Sequence, residues 1–409
     1  MAGIDDVTVY CQGQAGIASL AAKDGKILWQ DTSGQVGQSM PANGRVYTVR
    51  ADGKLHALDG LSGKQLWESA ATGSSAPNLE YVDDDLVVTM DDYGHYYGID
   101  AATGTTRWSY AVSGEGFGVA GEASTGQLIL MVQSNIQSTA ANTISGFTAV
   151  DPRTGKLAWQ TSLVALYAPP KGSGSGNVLY GIDDGMNLLA IAPATGKTAW
   201  RRPTTLPTGM SEILGYQGFL SLDDGILYVY PSVDFNGAVR GLLAAFDAAT
   251  GKNLWSVSTS KTLERGYAVA TDTVCHLDGA LHGLDARTGA AKWTAGSGLG
   301  SLQLFGAVDD VFLCAANGGS AGPAGLYGID AQSGGTAWHY GVNAGTNSSD
   351  WATYLTPQRL YLAQSGRLLC FASRARSAGS SKLSQLPSCV SATFAIPAAR
   401  RIRSCSTIP

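Results

Sequence analysis

Residues 46–67 read VYTVRADGKLHALDGLSGKQLW, and this stretch decides the fold class. Val46–Val49 is a run of β-branched and aromatic residues, which is typical of a β-strand. Asp52-Gly53 then predicts a tight hairpin turn, because glycine accepts the positive φ that such turns require. Leu55–Leu58 predicts a second strand, and a third strand carries Trp67 after another glycine-containing turn. With room for a fourth strand before the next copy, the segment predicts one four-stranded antiparallel sheet.

The same pattern occurs eight times, and each copy ends in a tryptophan: Trp29, Trp67, Trp108, Trp159, Trp200, Trp255, Trp293 and Trp338. A glycine stands four residues before each one: Gly25, Gly63, Gly104, Gly155, Gly196, Gly251, Gly289 and Gly334. A small residue stands ten before each one: Ser19, Ala57, Gly98, Ala149, Ala190, Ala245, Gly283 and Gly328. Repeats of about 40 residues with four strands each are typical of propeller blades. The chain is therefore predicted to be all-β, an eight-bladed β-propeller of four-stranded antiparallel blades.

The turn before each tryptophan has its own chemistry. In six copies an aspartate stands eight residues before the tryptophan: Asp59, Asp100, Asp151, Asp247, Asp285 and Asp330. A carboxylate at this position can accept backbone N–H groups across the turn. In five copies a threonine just before the glycine can bond locally in the same way: Thr103, Thr154, Thr195, Thr250 and Thr288.

Strings such as LHALDGLSGKQLW, YYGIDAATGTTRW and LLAAFDAATGKNLW resemble the tryptophan-docking repeat of PQQ-like β-propellers. The resemblance covers about residues 7–373. It implies that each of the eight tryptophans packs on the next blade and locks the ring, which is a structural role. Within the family, the chain is similar to the non-enzymatic sensor propellers of bacterial serine/threonine kinases.

Three copies are longer than the others, with extra residues at 133–146, 230–241 and 315–325. All three insertions fall between the first two strands of the pattern. In a four-stranded blade this turn lies on the same ring face as the connections between blades, while the aspartate turns lie on the other face. Insertions confined to one face of a repeat array often mark the binding face. We therefore expect a protein or a small-molecule ligand to bind there.

The innermost strands are expected to line the central channel. They contain or adjoin the candidate ligand-binding residues Glu212, Arg265, Tyr267, Gln303, Asp350 and Trp351. A polar channel ringed by such groups could bind a small anionic or aromatic ligand. The alternative is that these residues face water along the ring axis and bind nothing.

Composition excludes several classes of protein. Net charge is −5, and Lys and Arg do not cluster in the repeats, so no nucleic-acid partner is expected. No run of 18 apolar residues predicts a membrane span. The six cysteines contain no Cys-x-x-Cys motif, and the acidic pairs lack the ligand spacing of a calcium loop. No catalytic residue, metal site or cofactor is therefore predicted, and a monomeric ring is expected.

Both ends of the chain depart from the repeat. Residues 1–6, MAGIDD, lack the basic and apolar regions of a signal peptide, so the chain as written is expected in the cytoplasm, although a longer parent could be membrane-associated or exported. A ninth unit begins at 360–373 and leaves ring closure open. Residues 374–409 contain five Arg and one Lys but no Asp or Glu. This tail is expected to lie outside the propeller, as a disordered extension or as the product of a frameshift or cloning scar.

Three functions follow as candidates. The first is a non-catalytic propeller that binds a protein or senses a ligand within a larger bacterial protein such as a serine/threonine kinase. The second is a PQQ-dependent quinoprotein dehydrogenase with PQQ and calcium in the channel, although the chain has no adjacent cysteine pair. The third is a propeller resembling the scaffold lipoprotein of outer-membrane barrel assembly.

Overall fold

The computed structural model describes most of the repeat region. The described residues are 3–4, 8–13, 16–21, 26–32, 36–50, 52–69, 77–111, 115–122, 126–133, 145–163, 165–168, 178–183, 185, 187–204, 210–216, 220–235, 237–260, 267–341, 352–356, 359–364 and 367–372. Every regular element among them is a β-strand, and no helix that could cross a membrane occurs in this part of the chain. The predicted tail, residues 374–409, lies outside the described residues.

The strands pair in chain order into successive antiparallel sheets, each named here by its number. Sheet 1 contains β1 (Gly3–Ile4), β2 (Thr8–Gly13), β3 (Gly16–Ala21) and β4 (Ile27–Asp31). Sheet 2 contains β5 (Val36–Ala42), β6 (Arg45–Arg50), β7 (Leu55–Asp59) and β8 (Gln65–Glu68). Sheet 3 contains β9 (Asn78–Val82), β10 (Leu86–Met90), β11 (Tyr96–Asp100) and β12 (Thr106–Tyr110). Sheets 4 and 5 contain β13 (Glu115–Glu122), β14 (Leu128–Gln133), β15 (Ser145–Val150) and β16 (Leu157–Leu163); and β17 (Ala165–Tyr167), β18 (Leu179–Ile182), β19 (Asn187–Ile191) and β20 (Thr198–Pro203).

The later sheets follow the same path. Sheet 6 contains β21 (Met210–Tyr216), β22 (Ser221–Asp223), β23 (Ile226–Val229), β24 (Pro231–Phe235), β25 (Ala238–Asp247) and β26 (Asn253–Thr259). Sheets 7 and 8 contain β27 (Tyr267–Ala270), β28 (Thr273–Asp278), β29 (Ala280–Asp285) and β30 (Ala291–Ala295); and β31 (Leu302–Val308), β32 (Val311–Ala316), β33 (Gly325–Asp330) and β34 (Thr336–Gly341). Sheet 9 contains β35 (Ala352–Thr356), β36 (Arg359–Gln364) and β37 (Arg367–Ala372).

This architecture confirms the predicted fold class, an all-β propeller whose eight repeat copies each form a sheet. Seven of these sheets have four strands. Sheet 6 has six because its first strand is divided into β21 and β22 and its second into β23 and β24. The ninth unit expected at 360–373 forms β36 and β37, and β35 precedes them.

The core consists of layers between neighbouring sheets. One layer joins sheets 7 and 8 through Cys275, Leu281, Phe312 and Cys314, all essentially inaccessible to solvent. Another joins sheets 6 and 7 around Tyr228 and its neighbours. Because the flat faces of each sheet are covered only by the sheets beside it, stability depends on sheet-to-sheet contacts.

The repeat tryptophans make one such contact. The indole N–H of Trp255, in sheet 6, donates a hydrogen bond to the carbonyl of Ala286 in sheet 7 at 2.8 Å. Six tryptophans bond in this way to the turn of the next sheet: Trp29 to Gly60, Trp67 to Ala101, Trp108 to Pro152, Trp159 to Pro193, Trp255 to Ala286 and Trp293 to Ala331. In five of these pairs the acceptor is the carbonyl of the residue that follows the turn aspartate.

In the seven described turns that follow another sheet, the glycine lies under the tryptophan ring of that preceding sheet. A Cβ atom built on Gly289 would lie 2.7 Å from Cγ of Trp255. The same approach occurs in seven pairs: Gly63 with Trp29, Gly104 with Trp67, Gly155 with Trp108, Gly196 with Trp159, Gly251 with Trp200, Gly289 with Trp255 and Gly334 with Trp293. These glycines also have positive φ, +71° at Gly289. The position therefore excludes a side chain both by conformation and by close approach.

The small residue ten positions before each tryptophan lies directly opposite that tryptophan on the neighbouring strand. Ala245 lies opposite Trp255, and the register then shifts by one residue. The same pairing and shift occur in all eight copies. The shift is a β-bulge that leaves the residue before the tryptophan unpaired on the outer strand, where Leu66 and Leu254 are exposed. Bulges at outer edges hinder pairing with other chains.

Hydrogen bonds in the aspartate turns confirm the predicted turn chemistry. Oδ1 of Asp285 accepts the backbone N–H of Thr288 at 2.8 Å and its hydroxyl at 2.7 Å. Asp59, Asp100, Asp151, Asp247 and Asp330 make the equivalent pair of bonds. The bonds from Thr288 hold the pKa of Asp285 below its usual range. These turns are thus rigid platforms for the tryptophan of the preceding sheet.

Candidate functional site

We call one side of the propeller the insertion face. It bears the turn between the second and third strands of each sheet and the connections from one sheet to the next. The opposite side, which bears the aspartate turns, is called the Asp-turn face. In sheet 8, the loop after β32 bonds directly to the connection from sheet 7: Asn317 N–H donates to Ser301 O at 3.0 Å, and Ala321 N–H to Gly298 O at 3.1 Å. Ser260, at the end of sheet 6, likewise donates its backbone N–H to Asp278 in sheet 7 at 3.0 Å.

The predicted insertion at 230–241 forms a hairpin that lengthens sheet 6. β24 pairs with β25 from Ser232–Gly241 to Phe235–Ala238. The outer strand β26 pairs with β25 only as far as Gly241, which lies opposite Thr259. The three pairs beyond that level project about 10 Å past the outer strand, given a rise of about 3.3 Å per residue. On its inner side the hairpin is covered by β21.

The predicted insertion at 315–325 is a compact loop locked by glycines. Gly319 N–H donates to Gly322 O at 2.9 Å, closing the loop on itself. Leu299, from the connection between sheets 7 and 8, is buried beneath it. The Tyr327 hydroxyl donates to Pro323 O at 2.6 Å. The loop therefore presents a fixed surface that includes exposed Ala321. In the first insertion, 133–146, residues 134–144 lie outside the described residues.

The structure locates only some of the candidate ligand-binding residues. Tyr267 begins β27, and Gln303 lies in β31, on innermost strands of neighbouring sheets. Glu212 lies in β21, the innermost strand of sheet 6. Arg265, Asp350 and Trp351 lie outside the described residues. The ligand-binding role stays a prediction for all six residues.

Tyr267 packs between sheets 6 and 7. Its hydroxyl and that of Ser221 share a hydrogen bond at 2.5 Å. Its ring lies 5.7 Å from the ring of Tyr228 in sheet 6. Burial raises the pKa of the Tyr267 hydroxyl above its usual range. These contacts give Tyr267 a packing role that the sequence did not indicate.

Three histidines that the sequence gave no role lie in or directly after turns of the insertion face. An aspartate stands four residues before a histidine in three of these turns: Asp52 and His56, Asp91 and His95, and Asp278 and His282. His56 Nε2 lies 3.0 Å from Asp52 Oδ2, and His95 Nδ1 lies 3.2 Å from Asp91 Oδ2. The four-residue spacing was the available sequence signal. No group of three or more His, Cys, Asp or Glu side chains that could hold a metal occurs among the residues described.

His276 is a buried imidazole at the insertion-face end of sheet 7. It is 5% exposed and pairs across strands with Tyr267 on one side and His282 on the other. Its ring stacks on His282 with centroids 5.1 Å apart. Its Nδ1 is buried and has no hydrogen-bond partner among the residues that the structure describes. Burial, together with His282, lowers the pKa of His276 to about 4.

Stability is expected to depend on His276 between pH 7.5 and pH 5. The folded state keeps His276 neutral, whereas the unfolded chain binds a proton below its usual pKa of about 6.5. The contribution of neutral His276 to the free energy of unfolding is fully present above pH 6.5 and is lost as pH decreases toward 4. About 2 kcal/mol is lost at pH 5. In urea unfolding, the free energy of unfolding of H276F should therefore differ between pH 7.5 and pH 5 by about 2 kcal/mol less than that of the wild-type protein. H95Q should retain it; an unchanged difference in H276F would contradict the assignment.

Taken together, the repeated sheets, each with a tryptophan against the turn of the next, define a β-propeller repeat protein with one elaborated face. The family model described as outer membrane protein assembly factor BamB matches residues 13–172, 146–233 and 184–384. The chain belongs to this family.

Individual similarities are more distant. The chain is 26% identical over 233 residues to the outer membrane protein assembly factor BamB of Nitrosomonas eutropha, covering 54% of this chain and 51% of that protein. The chain thus spans about half the length of this curated relative. BamB from Moraxella catarrhalis has 17% identity and a TM-score of 0.42, covering 87% of this chain and 90% of that one. A quinohemoprotein alcohol dehydrogenase of Pseudomonas putida HK5 has 16% identity and a TM-score of 0.47, covering 76% and 68%.

Proposed function

We propose that this chain is a non-catalytic scaffold propeller that binds a protein of outer-membrane assembly through its insertion face. The family match across residues 13–384 carries the proposal, because the relatives are named as assembly factors. It favours the scaffold alternative of the sequence analysis over the kinase-sensor interpretation, which no comparison supports. Under this proposal the parent protein acts in the cell envelope.

The geometry of the insertion face supports a protein partner. The sheet 6 hairpin projects beyond its outer strand, and the sheet 8 loop is held by backbone bonds to the connection at Gly298 and Ser301. Surfaces fixed in this way lose little conformational entropy on binding. The Asp-turn face is used for sheet-to-sheet contacts, since its turn glycines lie under tryptophan rings.

Photo-crosslinking from the two faces tests the proposal. A photoreactive amino acid is placed at exposed Ala321 on the insertion face or, as a matched control, at exposed Ala102 on the Asp-turn face. In the native bacterium, we expect the Ala321 position to capture a component of the outer-membrane assembly machinery, identified by mass spectrometry. The Ala102 position should not. Capture of no such component from Ala321 would overturn the proposal.

The dehydrogenase alternative has its own test. Purified protein is titrated with PQQ and calcium and assayed for dye reduction with alcohols and sugars. The scaffold proposal predicts neither stoichiometric PQQ binding nor turnover. Tight binding with substrate oxidation would replace the scaffold by an enzyme.

A further inference from the structure

The turn 91–95 of sheet 3, on the insertion face, presents an exposed tyrosine, Tyr93, next to the partly buried His95. Tyr93 is 70% exposed, the highest value among the large exposed hydrophobic residues of the described chain. Its ring lies 6.3 Å from that of His95, tilted by 32°. Asp92, beside Tyr93, is exposed as well. A large exposed aromatic side chain offers contact area to a partner, and such side chains are enriched at interfaces.

One buried carboxylate holds this turn in shape. Asp91 is 4% exposed, and its Oδ1 accepts the backbone N–H groups of Tyr93 at 2.9 Å and His95 at 2.8 Å. Its Oδ2 accepts the Tyr97 hydroxyl at 3.0 Å and lies 3.2 Å from His95 Nδ1. Although burial alone would raise it, these hydrogen bonds lower the pKa of Asp91. The backbone bonds Asp91 N–H to His95 O and Gly94 N–H to Asp91 O close the turn.

Such a turn is pre-organised for binding. Tyrosine supplies a large contact area at low conformational cost, and tyrosine is enriched among residues that dominate binding energy. Because the Asp91 carboxylate accepts the backbone N–H groups of Tyr93 and His95, the backbone of the turn is already fixed and little ordering is required when a partner binds.

The charges around the turn indicate the chemistry of the partner. The face of a tyrosine ring attracts a cation, and Asp92 places a carboxylate next to it. Without residues 374–409, the chain carries 21 basic and 32 acidic residues, so its field favours a basic partner. An arginine is favoured over other cations, because its planar guanidinium can stack on the ring while it pairs with the carboxylate.

We propose that Tyr93 and Asp92 form an anchor for a basic segment of the partner protein, in which an arginine or lysine stacks on Tyr93 and pairs with Asp92. This anchor rests on the proposed function, since it names the chemistry that the insertion face recognises. Asp91 and His95 are positioning residues that fix the turn.

The test uses the crosslinker at Ala321 as readout and varies the anchor. Y93A and D92N should each lower the Ala321 crosslinking yield about tenfold, whereas Y93F, which keeps the ring, should retain it. L61A removes a side chain of similar exposure, 59%, from the Asp-turn face and should have no effect. Because Tyr93 and Asp92 are exposed, all variants should keep the wild-type thermal unfolding temperature.

A photoreactive residue at position 93 supplies a second readout. It should crosslink to the protein captured from Ala321, at a peptide that contains arginine or lysine within a few residues of the crosslink. Unchanged Ala321 crosslinking in Y93A and D92N would overturn the anchor while leaving the proposed function standing. A crosslink from position 93 to residues 374–409 of the same chain would also overturn it. Loss of the Ala321 crosslink in the wild-type protein would instead overturn the proposed function.

Discussion

W255A is expected to lower the free energy of unfolding by about 3–5 kcal/mol, the usual cost of truncating a buried aromatic side chain to alanine. Trp255 is 8% exposed and packs 6.2 Å from the ring of Tyr228. Its indole N–H donates to Ala286 O of sheet 7. The substitution therefore removes apolar burial and a hydrogen bond at one sheet-to-sheet contact. Urea unfolding followed by tryptophan fluorescence and circular dichroism measures the change.

Two further variants separate the contributions. W255F keeps a ring but removes the N–H donor, which leaves the Ala286 carbonyl without this bond and should cost about 1–2 kcal/mol. L254A alters the exposed neighbour on the same strand and should change stability by less than about 0.5 kcal/mol. A cost for W255A no larger than that of L254A would show that the tryptophan does not join the sheets.

G289A is expected to cost about 2–4 kcal/mol, which combines two effects. The residue has φ +71°, where a side chain costs about 1–2 kcal/mol. A Cβ there would also lie 2.7 Å from Cγ and 2.8 Å from Cβ of Trp255. Those atoms are close to the backbone of Trp255, so the ring must move off its platform. Thermal and urea unfolding measure the loss of stability.

Gly279 is the matched control in the same sheet. It has φ +74°, and a Cβ built there meets no atom of the described chain within 4 Å. G279A therefore carries only the conformational cost, and its effect should be smaller than that of G289A by about 1–2 kcal/mol. Equal effects of the two variants would contradict a steric role for the turn glycine beneath Trp255.

Much of the fold could be predicted because it is encoded by local and repeated signals. The strands predicted around Val46–Val49 and Leu55–Leu58 are β6 and β7, and the aspartate turns bond as expected. The requirement for a small residue opposite each tryptophan was visible only as a pattern. Its cause is the cross-strand pairing of the small residue with the tryptophan, as for Ala245 and Trp255. This pairing depends on a β-bulge that no single residue type predicts.

The candidate site was less predictable, because it depends on which side chains meet across sheets. Tyr267 lies on an innermost strand as expected, yet its hydroxyl bonds to Ser221 from another sheet. The Asp91–His95 turn was overlooked because its role depends on the burial of Asp91 and the exposure of Tyr93. Neither property follows from residue type, since aspartate is usually exposed and tyrosine partly buried.

The most direct test of the central claim, that the insertion face binds a protein of outer-membrane assembly, is the ratio of crosslinking yields from Ala321 and Ala102. Both residues are exposed alanines in turns, on opposite faces of the propeller. We expect at least a tenfold higher yield from Ala321, with an outer-membrane assembly component as the captured protein. Equal yields from the two faces, or a higher yield from Ala102, would contradict it.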